Sequence, residues 1–451
     1  MGFDFLDFGF PKSGTDWKSI NGKPYITVSS KGRSNGLSNK INDGADFGVD
    51  TTLGATSPNQ TGSPYTQTSG IQEAINYATT NLIMKVELID NEYYPTTDII
   101  IPSNNPNGFR IVGNGTNNGT MVHFEYPNAL GFVLDAITDV IEFDYISLLH
   151  TNTNVKIQSM MHYNASTING NIAIILNDMT TYDTASGANT TTLGDIYMNN
   201  VAAVYFTQFT NADGTSPVIS NCNQLSFMQP IISGQINLTN VNEVILIGGS
   251  LPAYGNGITI ANVNEIQLIG MIASGQYGIL DIGNSSVGNI KIIGLSYFFS
   301  GGTNATPSLI QSYTTGNVAN SVEIDGLSII IQSGSISTFY TVQNGDSVGY
   351  YKQSNILGLP TANIIGPIVT TTTPAVPASG TAQQNTNPYP VNVYLYGGTV
   401  TEIQLTRNGT AYTVFSNATG LALSGQVYKL NPSDNITITY STAPTWNWLS
   451  D

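Results

Sequence analysis

Residues 240–250 read NVNEVILIGGS, and residues 262–272 read NVNEIQLIGMI, an offset of 22. The echo extends in both directions. Asn221-Cys222-Asn223-Gln224-Leu225-Ser226-Phe227 stands 19 residues upstream, and Asn200-Val201-Ala202-Ala203-Val204-Tyr205-Phe206 a further 21 before that. Downstream, Ile290-Lys291-Ile292-Ile293-Gly294 follows Ile266-Gln267-Leu268-Ile269-Gly270 by 24, and Val322-Glu323-Ile324-Asp325-Gly326 repeats the pattern after a longer loop. Tandem units of this length, each a β-branched run bounded by Gly and Asn, build a solenoid. The units are too short and too strand-rich for helix pairs, and the fixed leucine framework of leucine-rich repeats is absent.

What remains is an all-β fold, a right-handed parallel β-helix in which each turn supplies one rung of two or three short strands. Rungs stack at about 4.8 Å, so residues of one face align from turn to turn. Val201, Cys222, Val241 and Val263 then form an inward apolar column, and Asn200, Asn221, Asn240 and Asn262 a corner column of stacked amides. The length predicts on the order of 11 rungs, or about 50 Å of stack.

The two ends differ from this pattern and divide the chain. Residues 1–41 are polar, basic and aromatic, and open with GFDFLDFGF, which alternates aromatic and acidic side chains. Residues 42–366 hold the β-helix, beginning with a short helix over 68–80 in which Ile71, Ala74, Ile75 and Ala78 share a face and Ser69 is the expected N-cap. Residues 367–390 are rich in Thr and Pro and read as a linker. Residues 391–451 alternate with period two, with a tight hairpin at Arg407-Asn408-Gly409, and predict a small antiparallel β-sandwich.

Charged residues are 9% of the chain, against about 25% in an ordinary soluble domain. The net charge of −16 argues against a nucleic-acid partner, because six of the 13 Lys and Arg lie in the first 40 residues and the remainder is nearly free of cations. The single Cys222 excludes an intramolecular disulfide. No apolar run approaches the roughly 18 residues that span a bilayer, so no membrane insertion is expected. Asp4 and Asp7 interrupt the stretch where a cleaved secretory signal is apolar, yet eleven N-x-S/T sequons are present. Together these features describe a surface protein that leaves the cell as part of a particle.

Asp43-Gly44-Ala45-Asp46-Phe47-Gly48, then Gly70-Ile71-Gln72-Glu73-Ala74-Ile75, then Phe109-Arg110-Ile111-Val112-Gly113 resemble the opening of pectate-lyase-like β-helix proteins. The resemblance covers residues 42 to about 360. Within that superfamily the layout resembles viral tailspikes and receptor-binding spikes, with an N-terminal particle-anchoring segment, a β-helix shaft and a small C-terminal β-domain. The resemblance implies a homotrimer, docking to other virion proteins through the N-terminal segment, and a host surface glycan or glycoprotein as partner.

Chemistry on this fold needs recognisable groups. The lyases of the resembled family use a basic residue and calcium-holding acidic clusters, and its galacturonases carry paired aspartates. Here no Asp-Asp pair exists, and between residues 86 and 351 the cations are Arg110, Lys156 and Lys291. Glu243 and Glu265 hold equivalent positions in adjacent turns, which brings their backbones to about 4.8 Å, a separation that suits the nucleophile and acid/base of a retaining glycosidase. The alternative is a pair of solvated corner residues. Asp135, Asp139, Glu142 and Asp144 lack the ligand spacing of a calcium loop, and His123, His150 and His162 fall in different turns without a nearby Cys, so neither a metal nor a cofactor is expected. Gly113-Asn114-Gly115 and Gly248-Gly249 lack the Lys-Ser/Thr of a phosphate loop. Trp446 and Trp448 are candidate sugar-stacking faces, or packing residues. The leading expectation is a virion surface spike that attaches to a host glycan. A glycan-degrading enzyme using Glu243 and Glu265, and a cell-surface adhesin, are the alternatives.

Overall fold

The asparagines at the repeat boundaries are where one strand turns into the next. Asn200, Asn221, Asn240 and Asn262 have φ of 59°, 50°, 55° and 53°, the left-handed region that Asn tolerates better than other non-glycine residues. The strands Ile196–Thr207, Val218–Met228 and Ile236–Ile247 each run through such a corner. The following turn is cut there into Ile258–Ala261 and Glu265–Ile269. The side chains form the expected ladder: Asn262 Nδ2 donates to Asn240 Oδ1 at 2.9 Å, and Asn240 Nδ2 to Asn221 Oδ1 at 2.9 Å. At the next rung the ladder steps sideways, and Asn221 Nδ2 donates to Asn199 Oδ1 at 2.7 Å while Asn200 Nδ2 donates to the Ala165 carbonyl. Replacing Asn240 with Ala forces an alanine into the left-handed region and removes two amide contacts, with an expected cost of about 2–3 kcal/mol. An unchanged urea midpoint would overturn that account.

The structure is a computed structural model that describes residues 25–30, 45–48, 67–106, 108–114, 119–183, 193–211, 217–253, 257–275, 278–283, 287–303, 305–312, 317–343, 346–369, 373–387 and 389–450. From Ile26–Ser29 to Ile368–Val369 every pairing between named strands is parallel, in one 21-stranded sheet that rounds the corners and one ten-stranded sheet. This is the right-handed parallel β-helix the repeat predicts. Val201, Cys222, Val241 and Val263 are at most 1% exposed. One column further along, Phe206 lies on Phe227 with ring centroids 4.3 Å apart and planes 8° from parallel. Burial pushes the Cys222 thiol up to about 12, so it packs as a small apolar group.

Among the described residues the coil's first strand lies inside the stretch 1–41. Ile26–Ser29 pairs with Lys85–Leu88 and with Phe47–Gly48, so part of that stretch belongs to the coil; its other residues, apart from Tyr25 and Ser30, lie outside the described ones, as do Asp43 and Gly44. Asp46 fastens this layer: its Oδ2 accepts from the Thr27 amide and hydroxyl, both at 2.9 Å. The helix Ile71–Thr80 closes the end of the coil with Ile71, Ala74, Ile75 and Ala78 buried. Ser69 is not its cap. Gly70 occupies that position at φ +83°, and a Cβ there would sit 2.4 Å from the Gly48 carbonyl oxygen. The close approach demands glycine, so the first-turn amide of Gln72 is received by Thr68 Oγ1 instead, at 3.2 Å.

At the other end, Val391–Arg407 is the spine of a five-stranded antiparallel sheet, paired with Thr410–Leu430 on one side and with Asn435–Thr442 and Thr445–Ser450 on the other. It bends at Gly397 and Gly398, both at positive φ, and the sheet halves enclose one core containing Val393, Leu395, Val400, Ile403 and Ile438. The layers of the expected sandwich are thus halves of a single folded sheet. The hairpin at Asn408-Gly409 forms as read, with φ of 49° and 78°. The Thr/Pro-rich segment does not act as a free linker. Ala382–Gln384 adds a strand to the sheet, and the carbonyls of Pro374 and Pro377 accept from Trp446 Nε1 at 2.7 Å and Tyr440 OH at 2.6 Å. Proline lacks a donor but keeps its acceptor, and buried indole and phenol groups need one.

Candidate functional site

Register carries the repeat's outward residues into columns on one face of the larger sheet. Gln224, Glu243, Glu265, Asn289, Ser321 and Tyr350 stand in one column over six successive turns. Gln267, Lys291, Glu323 and Lys352 stand beside it, two residues further along each strand. Glu243 and Glu265 are direct register partners, as the sequence predicts. Their surroundings differ. Burial, and then the Glu265 charge, raise Glu243 above its ordinary pKa, whereas Glu265 Oε1 accepts an amide hydrogen from Gln267 at 2.7 Å.

Below this pair the face opens into a cleft of about 280 Å³ whose lining includes Glu265, Asn289, Lys291, Ser321, Glu323 and Tyr350 from the coil, and Tyr389 and Pro390 from the segment leading into the C-terminal sheet. Tyr350 and Tyr389 stack at 4.9 Å and 19°, joining the last turns of the coil to that sheet. A second cleft of about 250 Å³ shares Lys291 and Glu323 and adds Asp325 and Lys352. Ser354 Oγ and Asn355 Nδ2 donate to Asp325 Oδ1 at 2.8 and 2.7 Å and lower its pKa. Carboxylates, amides, ammonium groups and a tyrosine pair on neighbouring rungs make a surface suited to a chain of hydroxyl-bearing units, each hydroxyl meeting both donors and acceptors.

The other candidates fall elsewhere. Trp446 and Trp448 are 3% and 1% exposed and meet edge to face at 5.5 Å inside the C-terminal core, so neither ring offers a face to a ligand. The acidic group over 135–144 is divided: Glu142 and Asp144 share Arg110, while Asp135 accepts from the His162 ring at 3.0 Å. Burial and the Asp144 charge raise Glu142 to about 7, against the pull of Arg110. His123 lies beside Glu125, and His150 pairs with Asp183. Among the described residues no three His, Cys, Asp or Glu side chains gather as metal ligands, and no helix is long and apolar enough to cross a membrane.

The repeat pattern leads as far as Glu265, Lys291 and Glu323. Tyr350 was within reach, since it follows Ser321 in register across one longer turn. Tyr389 was not, because nothing periodic ties it to the coil.

The likeness among solved structures is to phage tailspikes. The chain is similar to full-length tailspike protein 2 of an Escherichia coli O157:H7 bacteriophage at 10% identity and a TM-score of 0.25, over 84% of this chain and 60% of that one. It is similar to the enzymatically active domain of tailspike protein 2 of bacteriophage CBA120 at 10% identity and a TM-score of 0.26, over 84% and 71%. The enzymatically active domain of tailspike protein 4 of that phage follows at 11% identity and 0.20, over 85% and 67%. The chain thus spans 60% of the length of the full-length tailspike it matches. No protein-family model matches the chain, and no curated protein matches it.

Proposed function

We propose that this chain is a surface spike of a virion and that its β-helix attaches the particle to a host cell-surface glycan. The observation that carries this reading is the cleft between Glu265, Lys291, Glu323 and the Tyr350–Tyr389 stack. Its polar groups repeat at the rung spacing of about 4.8 Å, a length comparable to one sugar ring, so successive units of a polysaccharide meet successive rungs. In this reading the basic, aromatic N-terminal stretch docks to other virion proteins, and three copies share a particle-bound spike. The test is binding of the full chain to immobilised host polysaccharides. The Lys291→Ala/Glu323→Ala variant is expected to bind at least about tenfold more weakly, which is about 1.4 kcal/mol. Undiminished binding would remove the cleft from the argument.

A second reading is favoured by one observation, the unequal environments of Glu243 and Glu265. A carboxyl raised by burial beside one that accepts an amide hydrogen is the asymmetry that a glycosidase acid and nucleophile require. Attachment alone predicts that bound polysaccharide keeps its length. If it is shortened, Glu243→Gln and Glu265→Gln are each expected to abolish the shortening, and Glu243→Gln, which does not line the cleft, to leave binding intact. Shortening that persists in both variants would exclude the pair.

A further inference from the structure

The described cations are used in two ways. Lys85 holds Glu87, Arg110 holds Glu142 and Asp144, and Arg407 holds Asp434. Lys291 and Lys352 are exposed, and among the described residues neither ammonium group makes a salt bridge. They stand in one column two turns apart, with Glu323 on the turn between them. The Glu323 carboxylate likewise has no salt bridge or side-chain hydrogen bond among the described residues. The carboxylates beside the column are already engaged: Glu265 accepts from Gln267, and Asp325 from Ser354 and Asn355. All three residues of the column line the second cleft. Pairing between exposed charges contributes at most about 1 kcal/mol, so leaving these three apart costs the fold little and keeps them available to a ligand.

An ammonium group carries three donors and no acceptor and meets an anion as a point charge. A carboxylate only accepts, so it takes hydroxyl donors and repels an anion. Rung by rung, the column therefore asks for an anion, a hydroxyl and an anion. Its ammonium groups are two rungs apart, about 10 Å, the reach of two sugar units. We propose that this face selects an acidic polysaccharide with one anionic substituent, carboxylate or sulfate, on every second sugar, and that Lys291 and Lys352 each receive one. The inference rests on the attachment reading and names the class of glycan for the same face. A polymer with an anion on every sugar is disfavoured, because it sets one against Glu323, and because Glu265, Glu323 and Asp325 outnumber the two lysines along the clefts.

The experiment measures binding of the full chain to two alternating polymers, hyaluronan with its carboxylate on every second sugar and keratan sulfate carrying one sulfate per disaccharide. Their carboxyl-reduced and desulfated forms are the neutral partners, and polygalacturonate supplies a carboxylate on every sugar. At least one alternating polymer is expected to bind about tenfold tighter, or more, than its neutral form and than polygalacturonate, by a margin that shrinks as salt is raised. Which of the two does so tells carboxylate from sulfate. In the Lys291→Gln/Lys352→Gln variant the ratio of charged to neutral binding is expected to fall to about one. Glu323→Gln is expected to bind polygalacturonate about threefold tighter, or more, than the native chain does, a gain that a merely structural carboxylate would not give. The inference is overturned by neutral forms that bind as tightly as charged ones, by polygalacturonate binding as tightly as the alternating polymers, by a lysine variant that keeps the preference, or by failure of both alternating polymers to bind. The comparison of charged and neutral polymers uses the native chain, so it decides the matter even where a variant misfolds. Any of those results beside retained binding to immobilised host polysaccharide leaves attachment standing, whereas loss of that binding counts against attachment itself.

Discussion

Replacing Asp183 with Asn is expected to destabilise the coil by about 3–5 kcal/mol near pH 5, the usual cost of removing one member of a buried ion pair. His150 and Asp183 occupy register-paired positions on adjacent turns, and their side chains are fully buried, with Nδ1 and Oδ1 3.1 Å apart. Burial alone pushes the imidazole pKa down; the hydrogen bond and charge of Asp183, with a smaller contribution from Glu125, outweigh it, and the net direction is upward from 6.5. A histidine held protonated more firmly in the folded chain than in the unfolded one stabilises fully below its unfolded pKa. That contribution is lost as the pH rises through the folded value. The native coil is therefore expected to lose stability, from this pair, as the pH rises above about 6.5. The double variant His150→Leu/Asp183→Leu is expected to recover most of the loss and to flatten the pH dependence, since apolar replacement of a buried pair is often neutral. Urea midpoints at pH 5 and pH 8 check this. A single variant as stable as the native chain, or a double variant with the native pH slope, would refute the assignment.

Phe227→Ala is expected to cost about 3–5 kcal/mol, the range for removing a buried aromatic ring. The ring is fully buried, lies flat on Phe206 and faces Phe209 across the interior. In a solenoid each turn is supported only by its neighbours. The loss therefore opens the turns around Phe206 and Leu246, its register partners, before the rest. Hydrogen exchange resolved by segment is the measurement: faster exchange in 196–247 with the C-terminal sheet unaffected is expected, and uniform acceleration would contradict a locally supported coil.

The corner asparagines and the valine column were legible because a fixed period makes each residue's place a matter of counting. Asn240 and Asn262 differ by one turn, and so do Glu243 and Glu265. What counting missed has no period. The strand at Ile26–Ser29 is four residues long with no echo in the sequence, and its partner Lys85–Leu88 lies some 60 residues away. His150 meets Asp183 across a turn of 33 residues, longer than the repeats that set the register. The Thr/Pro-rich segment reads as unstructured because its prolines cannot join a ladder as donors, although their carbonyls are acceptors for the buried Trp446 and the half-buried Tyr440. Ser69 was a sound N-cap by residue type and was displaced by a backbone contact to Gly48 that no local pattern encodes.

The in-register face has a consequence for how a long, repetitive ligand would leave it. A polymer resting on evenly spaced rungs can step by one unit without losing its register with the strands, so escape can proceed by sliding rather than by simultaneous release. Regularity of that kind holds a polymer without fixing where along its length it is held. Address must come from the positions that break the pattern. On this face they are nearly all of them: the first column changes residue at every step but that from Glu243 to Glu265, and the second runs from Gln267 through Lys291 and Glu323 to Lys352, so the spacing is even and the chemistry is not.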